Sequence, residues 1–261
     1  MAKENDIPIS TKWLLDSVGK RGRSVINSIY LIFCPKTGNK GTGFLIKSGQ
    51  IITNWHVVEN CSASEIFGFS SAGYKIEFQT LKIDKNRDLV MLFPKNALKG
   101  GLEIKDQEIK TGFQVSTWGY PLGYNGPAPL LTIGYLSGFK DHKKNEKSKV
   151  VKRYIINGAF NPGNSGGPLL ISRENKVIGV VVAKHSPITP FLKSALKALM
   201  SQKSGFLYTA KDSGGVEQGL SEAQIIAEFL KHFHKITQVV IGEAIAGSEL
   251  INFLKEKDIN I

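Results

Sequence analysis

Cysteine is scarce in this chain: Cys34 and Cys61 are the only two in 261 residues. That excludes the disulfide framework by which small secreted domains offset a thin core, and the count fits a reducing compartment. Two thiols in a β-rich core read first as small apolar residues, with a single bridge left open. Long hydrophobic runs are missing too. No segment approaches the ~18 uninterrupted apolar residues that span a bilayer, and the start MAKENDIPISTKW has no apolar h-region behind its lysine. The expectation is an intracellular, cytoplasmic chain without a membrane span. Acidic residues are in short supply, 22 against 34 Lys and Arg, for a net charge of +12. A surplus of that size invites a nucleic-acid reading. Much of it is concentrated in residues 140–153 (KDHKKNEKSKVVKR), where no aromatic side chain interleaves the lysines to stack a base. This argues for a solvated loop tip and against nucleic acid.

The 41% hydrophobic content supports a substantial core, and the 27 glycines, about a tenth of the chain against a usual ~7%, mostly separate short β-rich runs. One set of runs covers 24–33, 43–47, 51–53, 65–69, 74–83 and 89–93; a second covers 113–119, 130–139, 149–156, 168–172, 176–184 and 205–210. Turn residues lie between most of them, which is the pattern of antiparallel barrels or sandwiches rather than of βαβ units. Two sets of equal size predict an all-β molecule of two barrels. Helical patterns flank and interrupt them. Residues 9–19 read as a short helix capped at Ser10 or Thr11 and stopped at Gly19, and 191–203 as a helical insertion. Residues 221–235 open with a capping box, Ser221 and Gln224, and a last helix is expected over 243–257. The expected organisation is 1–24 N-terminal helical extension, 25–108 first barrel, 109–212 second barrel and 213–261 C-terminal helical extension.

The sharpest chemical signal is NPGNSGGPLL at 161–170. Glycines around Ser165 let the backbone approach a substrate and let amide N–H groups converge without Cβ obstruction. Acyl transfer needs that, because attack on a carbonyl develops an oxyanion. A serine hydroxyl also needs a base. His56, in TNWHVV behind a predicted strand pair, has the setting for it. His142 lies in the lysine-rich loop, His185 follows a strand, and His232 and His234 sit on a predicted helix, so none of these matches it. The base in turn needs a carboxylate on its other ring nitrogen. Asp88 in NRDLVML, immediately before an apolar strand, fits best; Asp84 is the rival, expected to be exposed beside Lys85, Asn86 and Arg87.

TNWHVV, RDLVML and NPGNSGGPL, in that order, resemble the three catalytic blocks of the trypsin-like peptidases, and of their HtrA (Deg) branch in particular, over residues 25–210. The resemblance implies two packed six-stranded antiparallel barrels of the chymotrypsin type, with His56 and Asp88 on the first, Ser165 on the second and the cleft between them. It implies an oxyanion hole from the N–H groups of Gly163 and Ser165, a protein or peptide substrate, and no metal or organic cofactor.

Departures from that family shape the remaining expectations. Secreted trypsins carry an aspartate just before the nucleophile, which receives a newly cut N-terminus; Asn164 stands there instead, so that activation route is not expected. HtrA proteins carry PDZ modules after the protease, whereas about 50 residues of helical pattern follow Ala210 here. Regulation is therefore expected from a protein partner engaging the terminal helices or the basic loop 140–153. Ala159 stands where basic-specific trypsins place an aspartate. With Val182 and Ala183 it suggests a pocket for a small or medium aliphatic residue, while Lys184 and His185 would favour an acidic one. The alternative to an active endopeptidase is a catalytically silent trypsin-like scaffold that binds protein or nucleic acid through its basic face. An α/β-hydrolase is excluded because the G-x-S-x-G match around Ser165 lacks the strand-to-helix context that motif requires.

Overall fold

The computed structural model describes residues 7–107, 109–172, 174–182, 190–202, 207–211, 217–236 and 241–259. The chain divides into two compact units, one of Met1–Lys184 with Val240–Ile261 and one of His185–Val239.

The larger unit opens with helices α1 (Ile9–Ser17) and α2 (Lys20–Ile26). Thr11 does not cap α1. It is fully buried, and its hydroxyl donates to the Ser71 carbonyl at 2.7 Å. Gly19 stands between the helices as the N-cap of α2, so the first strand begins at Ile29 and not at residue 24.

Strands β1 (Ile29–Cys34), β2 (Asn39–Leu45), β3 (Ile51–Asn54), β4 (Phe67–Ser70), β5 (Lys75–Asp84) and β6 (Leu89–Pro94) close into an antiparallel barrel in the order β1-β2-β3-β6-β5-β4. Side chains alternate across a strand, so a strand with both faces covered reads as a continuous apolar run. β6 shows this: Val90 and Leu92 point into the barrel with Ile32, Leu45, Ile51 and Phe78, while Leu89 and Met91 face a separate cluster.

β7 (Gln114–Gly119), β8 (Leu130–His142), β9 (Val151–Asn157), β10 (Pro168–Ile171) and β11 (Val177–Val182) form a second closed barrel together with β14 (Gly242–Ala246), in the order β10-β11-β14-β9-β8-β7. The fold is therefore two six-stranded antiparallel barrels. The sixth strand of the second barrel differs from the expected one. Residues 207–211 form β12, which among the described residues pairs with β13 (Glu217–Ser221) in a two-stranded sheet. The barrel is closed by GEAIA, all five residues buried, registered between β11 and β9. Its short alanine-containing sequence runs straight into helix α5 (Gly247–Lys255), so the two read together as one helix over 243–257. Leu250, Phe253 and Leu254 of α5 join Ile29, Phe44, Ile52, Leu89 and Met91 of the first barrel and Trp118, Leu170, Val180, Val182 and Ile245 of the second in one buried cluster.

The smaller unit holds α3 (Pro190–Ser201), β12, β13 and α4 (Glu222–Ile236). Its capping box is as expected: Ser221 N–H donates to Gln224 Oε1 at 2.9 Å and Gln224 N–H to Ser221 Oγ at 3.4 Å. No helix among the described residues is long and apolar enough to cross a membrane.

Two expectations need correction. Cys34 and Cys61 are not separate thiols but a disulfide, joining the end of β1 to the loop that follows His56. The basic stretch 140–153 is not merely a solvated tip. Its ends lie in β8 and β9, and Lys140 and Arg153 both reach Glu243, Arg153 at 3.0 Å with both side chains buried. Lys144 stands 4.4 Å from the centroid of the Trp55 ring, and the Lys149 carbonyl accepts from Asn86 Nδ2.

Candidate active site

β3 ends in fully buried Thr53 and Asn54, and a single 3-10 turn over Trp55–Val57 follows, setting His56 at the end of the first barrel. Its partner comes from the turn between β5 and β6. Asp88 has φ of 61°, a left-handed conformation that a non-glycine residue adopts at a cost of about 1 kcal/mol or more. Its backbone carbonyl accepts from Trp55 N–H at 3.2 Å and from Asn54 Nδ2 at 2.9 Å. Its carboxylate then works on both sides of the histidine: Oδ1 accepts the His56 backbone N–H at 3.0 Å, and Oδ2 lies 2.8 Å from the ring Nδ1. A carboxylate at that distance assigns the proton to Nδ1 and leaves Nε2 as an acceptor on the other side of the ring.

The rival carboxylate is engaged elsewhere, by its own turn. Asp84 is not exposed but 15% accessible at its side chain. Oδ1 accepts from the N–H groups of Asn86 and Arg87, each at 2.9 Å, and Oδ2 from Arg87 Nη1 at 2.6 Å. Burial pushes its pKa up, but these donors outweigh burial and hold it below the ordinary carboxylate value.

Ser165 lies on the loop that leads into β10, and the loop is built around two glycines with positive φ, Gly163 at 95° and Gly166 at 84°. Space as well as conformation demands glycine. A Cβ on Gly163 would stand 2.3 Å from the Tyr120 carbonyl oxygen, and one on Gly166 would stand 2.2 Å from both the Thr42 carbonyl oxygen and Thr53 Oγ1. Gly166 N–H donates to the Val181 carbonyl at 2.9 Å, and Val181 N–H returns a bond to the Gly167 carbonyl at 2.8 Å.

The residue that sequence reasoning missed is Thr42. It sits fully buried on β2 of the first barrel and holds the serine loop of the second. Thr42 N–H donates to the Ser165 carbonyl at 2.8 Å, and its hydroxyl donates to the Gly163 carbonyl at 2.7 Å while accepting from Tyr120 N–H at 3.0 Å. Thr53 Oγ1 in turn donates to the Thr42 carbonyl at 2.7 Å. The signal for it was a hydroxyl at a buried position of an otherwise apolar strand, in GTGFL at 41–45. Thr42 and Thr53 tie the serine loop to the strands that carry His56: a Cβ on Gly166 would also come within 2.9 Å of Asn54 N, two residues from the histidine.

Asn164 is 1% exposed, and neither atom of its amide has a hydrogen-bond partner among the described residues; Thr117 Oγ1 is in the same condition. Each lies close to a glycine: a Cβ on Gly119 would stand 2.6 Å from Asn164 Oδ1, and one on Gly167 would stand 3.2 Å from Thr117 Oγ1. A neutral amide tolerates such a position, where an aspartate would need a cation inserted beside it. Of the expected pocket residues, Ala159 is half-buried and its carbonyl accepts from Asn161 N–H at 3.0 Å. Val182 is 7% exposed and packs in the cluster between the barrels. Ala183, Lys184 and His185 lie outside the described residues. Among the described residues no group of three or more His, Cys, Asp or Glu is placed to hold a metal ion.

Residues 41–180 match the family model for the trypsin-like peptidase domain. Protease Do-like 1, a chloroplastic protein of Arabidopsis thaliana, is 27% identical over 220 residues, covering 82% of this chain and 44% of its own length. The putative serine protease HhoB of a Synechocystis strain is 31% identical over 153 residues, covering 57% of this chain and 35% of its own. The chain thus spans less than half the length of these curated relatives. Among solved structures, the active form of the Rv3671c protease of M. tuberculosis superposes with a TM-score of 0.61 at 17% identity, over 100% of this chain and 94% of that one.

Proposed function

The chain belongs to the trypsin-like peptidase family, and from that premise we propose that it is a serine endopeptidase with Ser165 as nucleophile, His56 as general base and Asp88 as the orienting carboxylate. The observation that carries this reading is the double use of Asp88, with one oxygen on the His56 backbone and the other 2.8 Å from its Nδ1. A histidine so held offers an unprotonated Nε2 on the side away from the carboxylate. Ser165 Oγ attacks the scissile carbonyl as its proton passes to that nitrogen, and the Gly163 and Ser165 amides stabilise the oxyanion. The imidazolium, stabilised by Asp88, then returns the proton to the leaving amine, and water releases the acyl-enzyme by the same steps in reverse roles. A silent binding scaffold has no need of Asp88 held in a left-handed turn against His56.

The residue before the scissile bond is read as small or medium aliphatic, because Ala159 supplies no charge to receive Lys or Arg. Substrates are proteins or peptides. Regulation is assigned to a protein partner, with the terminal helices and the basic loop as the surfaces it engages. The Cys34–Cys61 bond favours an oxidising setting over the cytoplasm expected from the cysteine count.

Hydrolysis of peptide pairs differing only in the residue before the cleavage site tests the whole reading. Valine and alanine peptides are expected to be cut faster than the arginine peptide, and Ser165→Ala to cut none. Faster cleavage after arginine overturns the specificity, and unchanged cleavage by Ser165→Ala overturns the mechanism.

A further inference from the structure

Arg87 immediately precedes Asp88 and is not part of the catalytic arrangement described above. Its side chain is 12% exposed and engages three carboxylates: Asp84 Oδ2 from Nη1 at 2.6 Å, Glu249 Oε2 from Nε at 3.0 Å, and Glu256 from Nη1 at 2.8 Å and Nη2 at 2.9 Å. Asp84 is local. Glu249 lies in α5 and Glu256 caps its end, 162 and 169 residues further along the chain. Glu249 also accepts the Lys152 backbone N–H of β9 through its other oxygen, at 3.1 Å. A second tie runs parallel to the first, from Lys82 Nζ to the Lys257 carbonyl at 2.9 Å. Meanwhile Leu250, Phe253 and Leu254 fix α5 in the cluster between the barrels.

A turn that needed only local closure would be served by Asp84, which already binds two of its backbone amides. The fork of Arg87 does more, tying the residue next to Asp88 to an element anchored between the two barrels. Asp88 must be held in a left-handed conformation while both of its carboxylate oxygens stay on His56. We propose that Arg87 is a positioning residue for the triad: by gripping Glu249 and Glu256 it makes α5 the strut that sets Asp88 against His56. The proposal rests on the triad reading above. The planar guanidinium of Arg87 makes four hydrogen bonds to three carboxylates, more than the three N–H donors of a lysine can supply, and misplacement of a catalytic group by about 1 Å costs on the order of 100-fold in rate.

The test compares wild type with Arg87→Met, Arg87→Lys and Glu249→Gln, measuring kcat and KM and the downfield proton resonance of His56 Nδ1 in 15N-histidine-labelled protein. Arg87→Met is expected to lower kcat about tenfold or more with KM within about twofold, and to shift the Nδ1 resonance upfield. Arg87→Lys should recover part of both, and Glu249→Gln should show both effects at about threefold in kcat. If Arg87→Met does not fold, Arg87→Lys and Glu249→Gln decide. A variant that melts at lower temperature but keeps kcat and the Nδ1 resonance in its folded state overturns the proposal, leaving Arg87 a purely structural clamp. So does a loss of kcat with the resonance unmoved. The resonance is read without turnover, so cleavage by Ser165→Ala at the wild-type rate refutes the proposed function while this inference is still decided.

Discussion

The two halves of the candidate site are held by different means. On the first barrel, the hydrogen bonds described for His56 and Asp88 themselves arise within residues 54–88, and Asp88 uses its carbonyl and both carboxylate oxygens. On the second barrel, the Ser165 loop is held by backbone bonds, with Gly166 N–H on the Val181 carbonyl and Gly167 N–H on the Asn164 carbonyl, rather than by a carboxylate. It depends on missing side chains at Gly163 and Gly166, on Thr42 reaching across from the first barrel, and it tolerates the unpartnered amide of Asn164. The first half turns on one carboxylate, and the second on backbone bonds that close approach at its glycines permits. Charge changes should therefore damage the first half most, and added atoms the second.

The largest expected effect is on the first half. Asp88→Asn keeps the shape but reverses the hydrogen-bond sense toward Nδ1, so kcat should fall by roughly 10⁴ with the fold intact, as read by peptide hydrolysis and circular dichroism. A loss of tenfold or less would mean that Asp88 does not set the tautomer. Next comes Gly166→Ala. Its methyl would meet the Thr42 carbonyl and Thr53 Oγ1 at a φ of 84°, so the serine loop must move; a drop of about 10² to 10³ in acylation rate is expected, with lower stability in urea unfolding. Full activity in that variant would show that the loop is held by something other than close approach.

Thr42→Val tests the link between the halves. It removes a hydroxyl that donates to Gly163 O and accepts from Tyr120 N–H, and keeps the volume, so acylation should slow about tenfold and stability should fall by about 1–3 kcal/mol. The smallest effect is expected at the rival carboxylate. Asp84→Asn should leave kcat within about threefold at neutral pH and act instead on acid stability. The folded-state pKa of Asp84 is lowered, so its contribution is present above the ordinary carboxylate value and is lost as pH falls through the depressed one. The wild type should therefore resist acid unfolding to lower pH than the variant. Equal acid midpoints, or a loss of activity matching that of Asp88→Asn, would remove the distinction between the two aspartates.

The same contrast explains what could be read in advance. His56, Asp88 and Ser165 sit in short blocks whose chemistry is local, so their residue types and order were enough to propose them. Short β-rich runs separated by turn residues pointed to both barrels, because strands such as β6 bury two faces and leave an unbroken apolar run. What was not legible depends on partners distant in sequence. Thr42 is one hydroxyl in a strand until its bonds to Gly163 and Tyr120 are seen, and Arg87 reads as part of an exposed turn because Glu249 and Glu256 lie far along the chain. The sixth strand of the second barrel was hidden by the residues that follow it. GEAIA has no branched run to mark a strand, and it closes the barrel because Ala244 and Ala246 fit a space already lined by Ile156, Leu169 and Ile178. Cys34 and Cys61 are 27 residues apart, and only the fold of β1 against the loop after His56 brings them together.

The central claim is that Ser165 is a nucleophile activated by His56 and Asp88. Intact-mass and peptide-mass measurement after reaction with a fluorophosphonate tests it most directly. The account predicts one adduct per chain on the peptide that contains Ser165, none in Ser165→Ala or His56→Ala, and a much slower one in Asp88→Asn. An adduct on another residue, or labelling of Ser165 at the same rate without His56, would contradict it.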